Sequence, residues 1–158
     1  MKLRDRRERE KRHLTVLEGY RELTRAAEYG MTLKECFFAP EMFLGENEFP
    51  VLKKLAEAGV RMYQVPPFML EKMAYRDRPE GLIATAKMLR HTLDDLPVVE
   101  NGLYLVAEAV EKPGNLGSIL RSADAAGADA LLVCEKKTDL YNPNVIRAST
   151  GAIFSVPV

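Results

Sequence analysis

Residues 106–158 read VAEAVEKPGNLGSILRSADAAGADALLVCEKKTDLYNPNVIRASTGAIFSVPV. The order predicted here is strand, loop, helix, strand, loop, short helix, strand. Leu103–Val110 is rich in Val, Leu and Ala and suits a buried strand. Lys112–Gly117 packs one Pro, two Gly and Asn115 into six residues, which predicts a turn. Ser118–Ala126 follows, with Ile119, Leu120, Ala123 and Ala126 on one helical face. Gly127 stands where a helix end favours positive φ. Ala130–Cys134 is a second apolar run, short enough for a parallel strand. Strand, helix and strand together make a right-handed crossover unit.

Two polar residues in that unit are candidates for chemistry. Asn115 lies at the expected start of the helix, where its side chain can cap. Arg121 falls roughly opposite the apolar face and so points away from its own sheet. Spacing alone favours a plain cap for Asn115 and a solvated charge for Arg121, because helix starts so often look like this.

Working outward, the 158 residues suit one large domain or two small ones. Lys plus Arg and Asp plus Glu number 23 each, so no global basic bias marks a nucleic-acid binder, although a local patch is enough for one. Cys36 and Cys134 have neither a CxxC partner nor a nearby His pair, so no metal site is read, and two buried free thiols are expected. No apolar run reaches the length of a membrane helix, and the basic start is not followed by a signal-type apolar core; a cytoplasmic protein is expected. KPGNLGS has neither G-x-G-x-x-G nor GK[ST], which argues against a nucleotide-binding Rossmann or P-loop domain.

Residues 2–12, KLRDRREREKR, carry seven basic and three acidic side chains. They read either as a solvated helix with opposite charges four apart or as an arm that meets phosphates through Arg6, Arg7 and Arg9. From there to residue 90 strands and helices alternate: His13–Glu18 strand, Tyr20–Tyr29 helix with Leu23, Ala26 and Ala27 inward, Lys34–Ala39 strand, Phe49–Ala58 helix, Val60–Val65 strand, Phe68–Tyr75 helix, Gly81–Thr85 strand. That alternation implies a three-layer α/β/α domain over residues 1–90. His91–Asn101, with its acids, Pro and Asn, breaks the pattern and is the expected linker, and 102–158 forms a second domain. His91 and His13 have no base partner in sequence.

The run EKPGNLGSILRSADAAGADALLV resembles the first signature of the SpoU/TrmH family of RNA ribose 2'-O-methyltransferases, within the SPOUT superfamily, through Asn115, Gly117 and Arg121. NPNVIRASTGAIFSVPV resembles the second, through Asn142, Pro143, Val145, Arg147, Ala148, Ser149 and Gly151. Lys112 departs from the pattern, since many members have Asp before the Pro. Val16-Leu17-Glu18-Gly19 with Arg21, and Arg78-Pro79-Glu80-Gly81-Leu82-Ile83-Ala84, resemble the RNA substrate-binding domain that precedes the methyltransferase domain in many members.

The resemblance implies an enzyme that transfers methyl from S-adenosylmethionine to a ribose 2'-hydroxyl of rRNA or tRNA, working as a homodimer. It implies catalytic roles for Arg121 and Asn115, substrate contacts at Arg21 and Arg147, and a cofactor edge at Ser149 and Gly151. The fold implied for 102–158 is the front of an α/β knot. The family's later loop and Ser-Leu-Asn-type run, which tie the knot and build most of the cofactor pocket, are not found in these 158 residues. The expectation is therefore a truncated methyltransferase domain, not competent by itself, with Ile153, Phe154 and Val156 exposed on a strand. The alternative is a catalytically inactive RNA-binding fragment.

Overall fold

The computed structural model describes every residue except Met1, Arg90, His91 and Pro97. The linker reading of His91 thus lies outside the described residues. The chain folds as two compact units, Met1–Met88 and Leu89–Val158. The change of unit falls just ahead of the linker expected at 91–101, within which a short 3-10 turn, Leu93–Asp95, is boxed by Thr92 and Asp95.

The first unit runs α1 (Arg6–Arg12), β1 (Leu14–Glu18), α2 (Tyr20–Glu28), β2 (Leu33–Phe38), α3 (Glu48–Glu57), β3 (Arg61–Gln64), α4 (Pro67–Met73) and β4 (Leu82–Lys87). The sheet order is β1-β4-β2-β3; β4 is antiparallel to both neighbours, and β2 and β3 are parallel. Strand alternation divides the core. On one face Val16 and Ile83 pack with Leu3, Leu70 and Ala74, covered by the N-terminal turn and α4. Leu17 and Ala84 point the other way and are wholly buried on the side of α2. The three expected layers are present.

Inward faces differ from expectation in detail. Leu23 and Ala26 of α2 are buried, but Ala27 is exposed; Glu22, and Glu48 of α3, take inward positions. The difference for Glu22 has a cause. Its carboxylate is drawn in by Arg76, with Nη2 donating to Oε1 at 3.0 Å. Cys36 is buried, which pushes its thiol pKa up to about 12, whereas Cys134, expected to be buried, is exposed at the end of its strand.

The second unit runs β5 (Tyr104–Glu108), α5 (Pro113–Ala125), β6 (Ala130–Cys134), α6 (Pro143–Ser149) and α7 (Ala152–Ser155). β5 and β6 pair in parallel around α5, as the apolar runs predict. Gly127 has the expected positive φ, 66°.

Two expectations need correction. The predicted turn Lys112–Gly117 is the first turn and a half of α5. Pro113 stands at its first position, where the fixed φ suits a helix and the missing N–H costs nothing. Asn115 is therefore inside the helix and does not cap it; Lys112 is the N-cap residue, with no side-chain cap bond. The strand expected at Ala152–Val156 is the single helical turn α7, entered through Gly151 at φ 87°. That turn rolls Ile153, Phe154 and Val156 inward, to 6%, 7% and 4% exposure, so they are buried, not bare. The chain extends only afterwards, where the Pro157 carbonyl accepts from Leu131 N of β6 at 2.9 Å.

Candidate functional site

The second unit is built on α5. Leu116, Gly117, Leu120 and Ala123 recur at helical spacing and are buried. The opposite surface exposes Asn115, Ser118, Arg121 and Ser122. Steps of three turn back about 60° each, so Ser118, Arg121 and Asp124 form a slanted polar ridge, and Asn115 at its head lies half a turn round the helix from Asp124. Ser118, Arg121, Ser122, Asp124 and Ala125 line an open depression on this ridge.

α6 crosses the buried side of α5. A Cβ built on Gly117 would stand 2.8 Å from the carbonyl carbon of Ala148 and 2.8 Å from the nitrogen of Ser149, too close for any side chain. Glycine at this position lets the two backbones meet. The two motifs read from sequence thus meet in space at Gly117, Ala148 and Ser149.

α6 begins where Asn142 Oδ1 accepts from Asn144 N at 2.9 Å, with Pro143 at the first helical position. It ends at Thr150 and Gly151, with φ of 50° and 87°. Ser149 is fully buried and its hydroxyl donates to the Ile146 carbonyl at 2.7 Å. Arg147 is exposed. Ser155 of α7 donates to Asp124 Oδ1 at 2.6 Å, which fastens α7 to the polar ridge one turn beyond Arg121.

The loops at the C-terminal ends of both strands are also tied. Thr138, buried, donates through Oγ1 to the Glu111 carbonyl. Tyr141 donates to the Leu89 carbonyl at 2.7 Å, and burial raises its pKa. This end of parallel strands is where open α/β sheets bind ligands.

In the first unit the two weaker motifs converge on Arg76. Glu18 accepts backbone N–H groups from Tyr75 and from Arg76, the latter at 3.1 Å. The Arg76 guanidinium donates to the Glu18 carbonyl at 3.0 Å, Glu22 at 3.0 Å and Glu80 at 2.7 Å. Gly19, at φ 98°, opens α2 beside them, and a Cβ there would press on Glu22, Glu80 and Arg76. Glu18 and Gly19, which could be read as a surface acid and a plain turn, are therefore part of one buried network. Nothing periodic in its loop marks Arg76 in the sequence; Glu80 four residues on is the one local sign of an ion pair.

The basic start is not a loose arm. Arg4 donates to the carbonyls of Lys72 and Ala74. Arg6 pairs with Glu10 at 2.7 Å and Arg12 with Glu8 at 3.0 Å. Arg9, expected to meet phosphate, is 3% exposed and donates to the carbonyls of Leu3 at 2.9 Å and Arg4 at 2.8 Å. It clamps the N-terminal turn, and two residues of helix rotation set it on the opposite side of α1 from the exposed Arg7. Arg7 and Arg21 are exposed.

Fold and ridge together define a two-part protein: an α/β domain followed by a βαβ-based unit with an arginine on its open helix face. Comparison with known families agrees. Residues 1–84 match the MRM3-like substrate binding domain and residues 102–158 the SpoU rRNA Methylase family. The chain belongs to the SpoU rRNA methylase family and carries an MRM3-like substrate binding domain ahead of its methylase segment.

The chain is 31% identical, over 142 residues, to the 23S rRNA (uridine(2479)-2'-O)-methyltransferase of Streptomyces viridochromogenes, covering 90% of this chain and 49% of that protein. A solved RNA 2'-O ribose methyltransferase is 42% identical, with a TM-score of 0.83 over 99% of this chain and 58% of that one. The SpoU methyltransferase AviRb from Streptomyces viridochromogenes, solved in complex with AdoMet, is 30% identical, with a TM-score of 0.84 over 98% of this chain and 56% of that one. The chain spans about half the length of the curated relatives it matches. Among the described residues, no helix is long and apolar enough to cross a membrane.

Proposed function

We propose that this chain is the substrate-gripping and front catalytic part of a methyltransferase that modifies a ribose 2'-hydroxyl of rRNA, with tRNA as the second candidate substrate. The observation that carries the reading is the junction of the two motifs at Gly117 and Ala148–Ser149, which leaves Arg121 on an open polar ridge. S-adenosylmethionine, bound by the AviRb neighbour, supplies an electrophilic methyl group.

Within this chain the residues present fit one edge of such a cofactor. The left-handed turn at Thr150 and Gly151 offers backbone, while the Ser149 hydroxyl is engaged by Ile146. Ser149 then serves by shaping that turn.

Arg121 holds a permanent positive charge, so it does not serve as a simple proton acceptor. Its planar fork suits a phosphate and the developing 2'-oxyanion together. Asn115, two steps of three earlier at the head of the ridge, orients the nucleotide. Arg7, Arg21 and Arg147, all exposed, neutralise phosphates, with Arg6 joining them at the cost of its pair with Glu10. Homodimerisation and a cytoplasmic location belong to the same reading.

The test is methyl transfer from radiolabelled S-adenosylmethionine to rRNA by the full-length protein. Arg121→Ala is expected to lower turnover by about 10²–10³ with the fold intact, as loss of an oxyanion donor does. Near-normal turnover in that variant removes Arg121 from the chemistry.

A further inference from the structure

We propose that the outer face of Tyr63 is a stacking site for an unpaired base of single-stranded RNA, with Arg61 beside it meeting the adjoining phosphate. The proposal rests on the RNA-substrate reading above and adds to it a place of contact on the sheet of the first unit.

The register sets Tyr63 of β3 directly beside Phe37 of β2, which lies beside Ile83 of β4. Neighbours in register point to the same face, and Ile83 is in the core under α4. The row therefore starts buried at Ile83 and emerges at Tyr63. The Phe37 and Tyr63 rings are stacked, with centroids 5.1 Å apart and planes 18° apart. Both rings stand off the sheet like leaves of a book.

β3 is an edge strand, so among the described residues no further strand lies beyond Tyr63. Phe37 covers one π face of Tyr63, the strand stands at the sheet edge, and the residue keeps 40% exposure. An aromatic ring held parallel by a neighbour and exposed at a sheet edge has the geometry on which a base stacks, whatever its identity.

Arg61 precedes Tyr63 by two residues and so shares its face. Its side chain is 66% exposed, and one Nη donates to Glu35 Oε1 at 2.8 Å. That bond orients the guanidinium plane while leaving other N–H donors for a phosphate oxygen. An aromatic face with an adjacent oriented cation matches a nucleotide, flat base next to anion, better than it matches an apolar protein surface. A paired base would not serve, because its faces are already stacked within the duplex.

The 158-residue chain contains no Trp, so Tyr63→Trp keeps the stack and adds a unique fluorophore. The probe is a single-stranded oligoadenylate of about eight nucleotides, within the usual site size. Addition of the oligonucleotide is expected to quench the indole emission of that variant. Tyr63→Leu and Tyr63→Ala should each weaken binding about tenfold or more, the loss expected for one stacked base. A blunt RNA duplex should show neither effect.

If the wild-type chain binds RNA and both truncations bind equally well, or if Tyr63→Trp binds it without quenching of its indole, the platform is wrong and the RNA reading stands. If the wild-type chain binds no RNA, both fall together. If Tyr63→Ala instead changes the association state seen by sedimentation, this edge joins copies of the chain and the platform is overturned. Tyr63→Leu keeps the argument open to refutation should Tyr63→Ala misfold.

Discussion

Gly117 of α5 touches Ala148 of α6 backbone to backbone: a Cβ on the glycine would lie 2.8 Å from the Ala148 carbonyl carbon. The clash is with main chain, so no rotamer change relieves it. Gly117→Ala gains up to about 1 kcal/mol of helix propensity. It is nonetheless expected to destabilise the second unit by a net of about 1–3 kcal/mol, the range for overpacking. Hydrogen exchange of the α5 and α6 amides measures this; unchanged or increased protection would contradict the close crossing.

Much of this was legible from residue order. The runs Leu103–Val110 and Ala130–Cys134 gave the parallel pair, and the alternation through residues 13–90 gave three layers. What misled was local composition against tertiary demand. PGN reads as a turn, yet Pro, Gly and Asn are all tolerated in a helix's first turn, where N–H groups have no intrahelical partner. AIFSV reads as a strand by propensity, but Gly151 bends the chain and the buried surface of the second unit selects a helical turn. The Arg76 network was illegible because it joins residues 54 and 58 positions apart that no period relates.

Glu22 offers a pH test of that network. Burial raises its pKa above the ordinary 4.5, and the Arg76 charge opposes this only in part. A carboxyl with a raised folded-state pKa holds its proton longer in the folded chain than in the unfolded one. Its contribution to stability is thus full below the ordinary pKa and is lost as pH rises through the folded value. Glu22→Gln keeps an acceptor for Arg76 without the buried charge. The variant is expected to equal or exceed wild type in melting temperature at neutral pH, and to lose that advantage toward pH ~4.5. A wild-type advantage that grows with pH would reverse the sign and refute the assignment.

Arg7 and Arg9 should separate binding from folding. Arg9→Ala leaves the Leu3 and Arg4 carbonyls without their buried charged donor, at a cost of about 1–3 kcal/mol. Arg7→Ala, on the exposed side of α1, should change stability by less than about 0.5 kcal/mol. Its effect should appear in the log–log salt dependence of RNA affinity, with a slope smaller by about one. Denaturant titration and binding at several salt concentrations give both quantities. Equal stability losses in the two variants would mean that Arg9 is not the clamp.

Ser155 and Asp124 carry the last prediction. The hydroxyl on α7 donates to the carboxylate on α5 at 2.6 Å, and Asp124 stands three residues after Arg121 on the polar ridge. Hydrogen bonds to charged acceptors contribute about 1.5–3 kcal/mol. Asp124 makes further interactions, so its replacement alone measures more than this bond. A double-mutant cycle of Ser155→Ala and Asp124→Asn isolates the pair, with an expected coupling of about 1 kcal/mol. In the full-length protein, Ser155→Ala should also loosen Asp124 and so disturb the depression that contains Arg121. Turnover should then fall by less than in Arg121→Ala, because the arginine itself remains. A coupling indistinguishable from zero would show that α7 is held to α5 by the buried Ile153 and Phe154 alone.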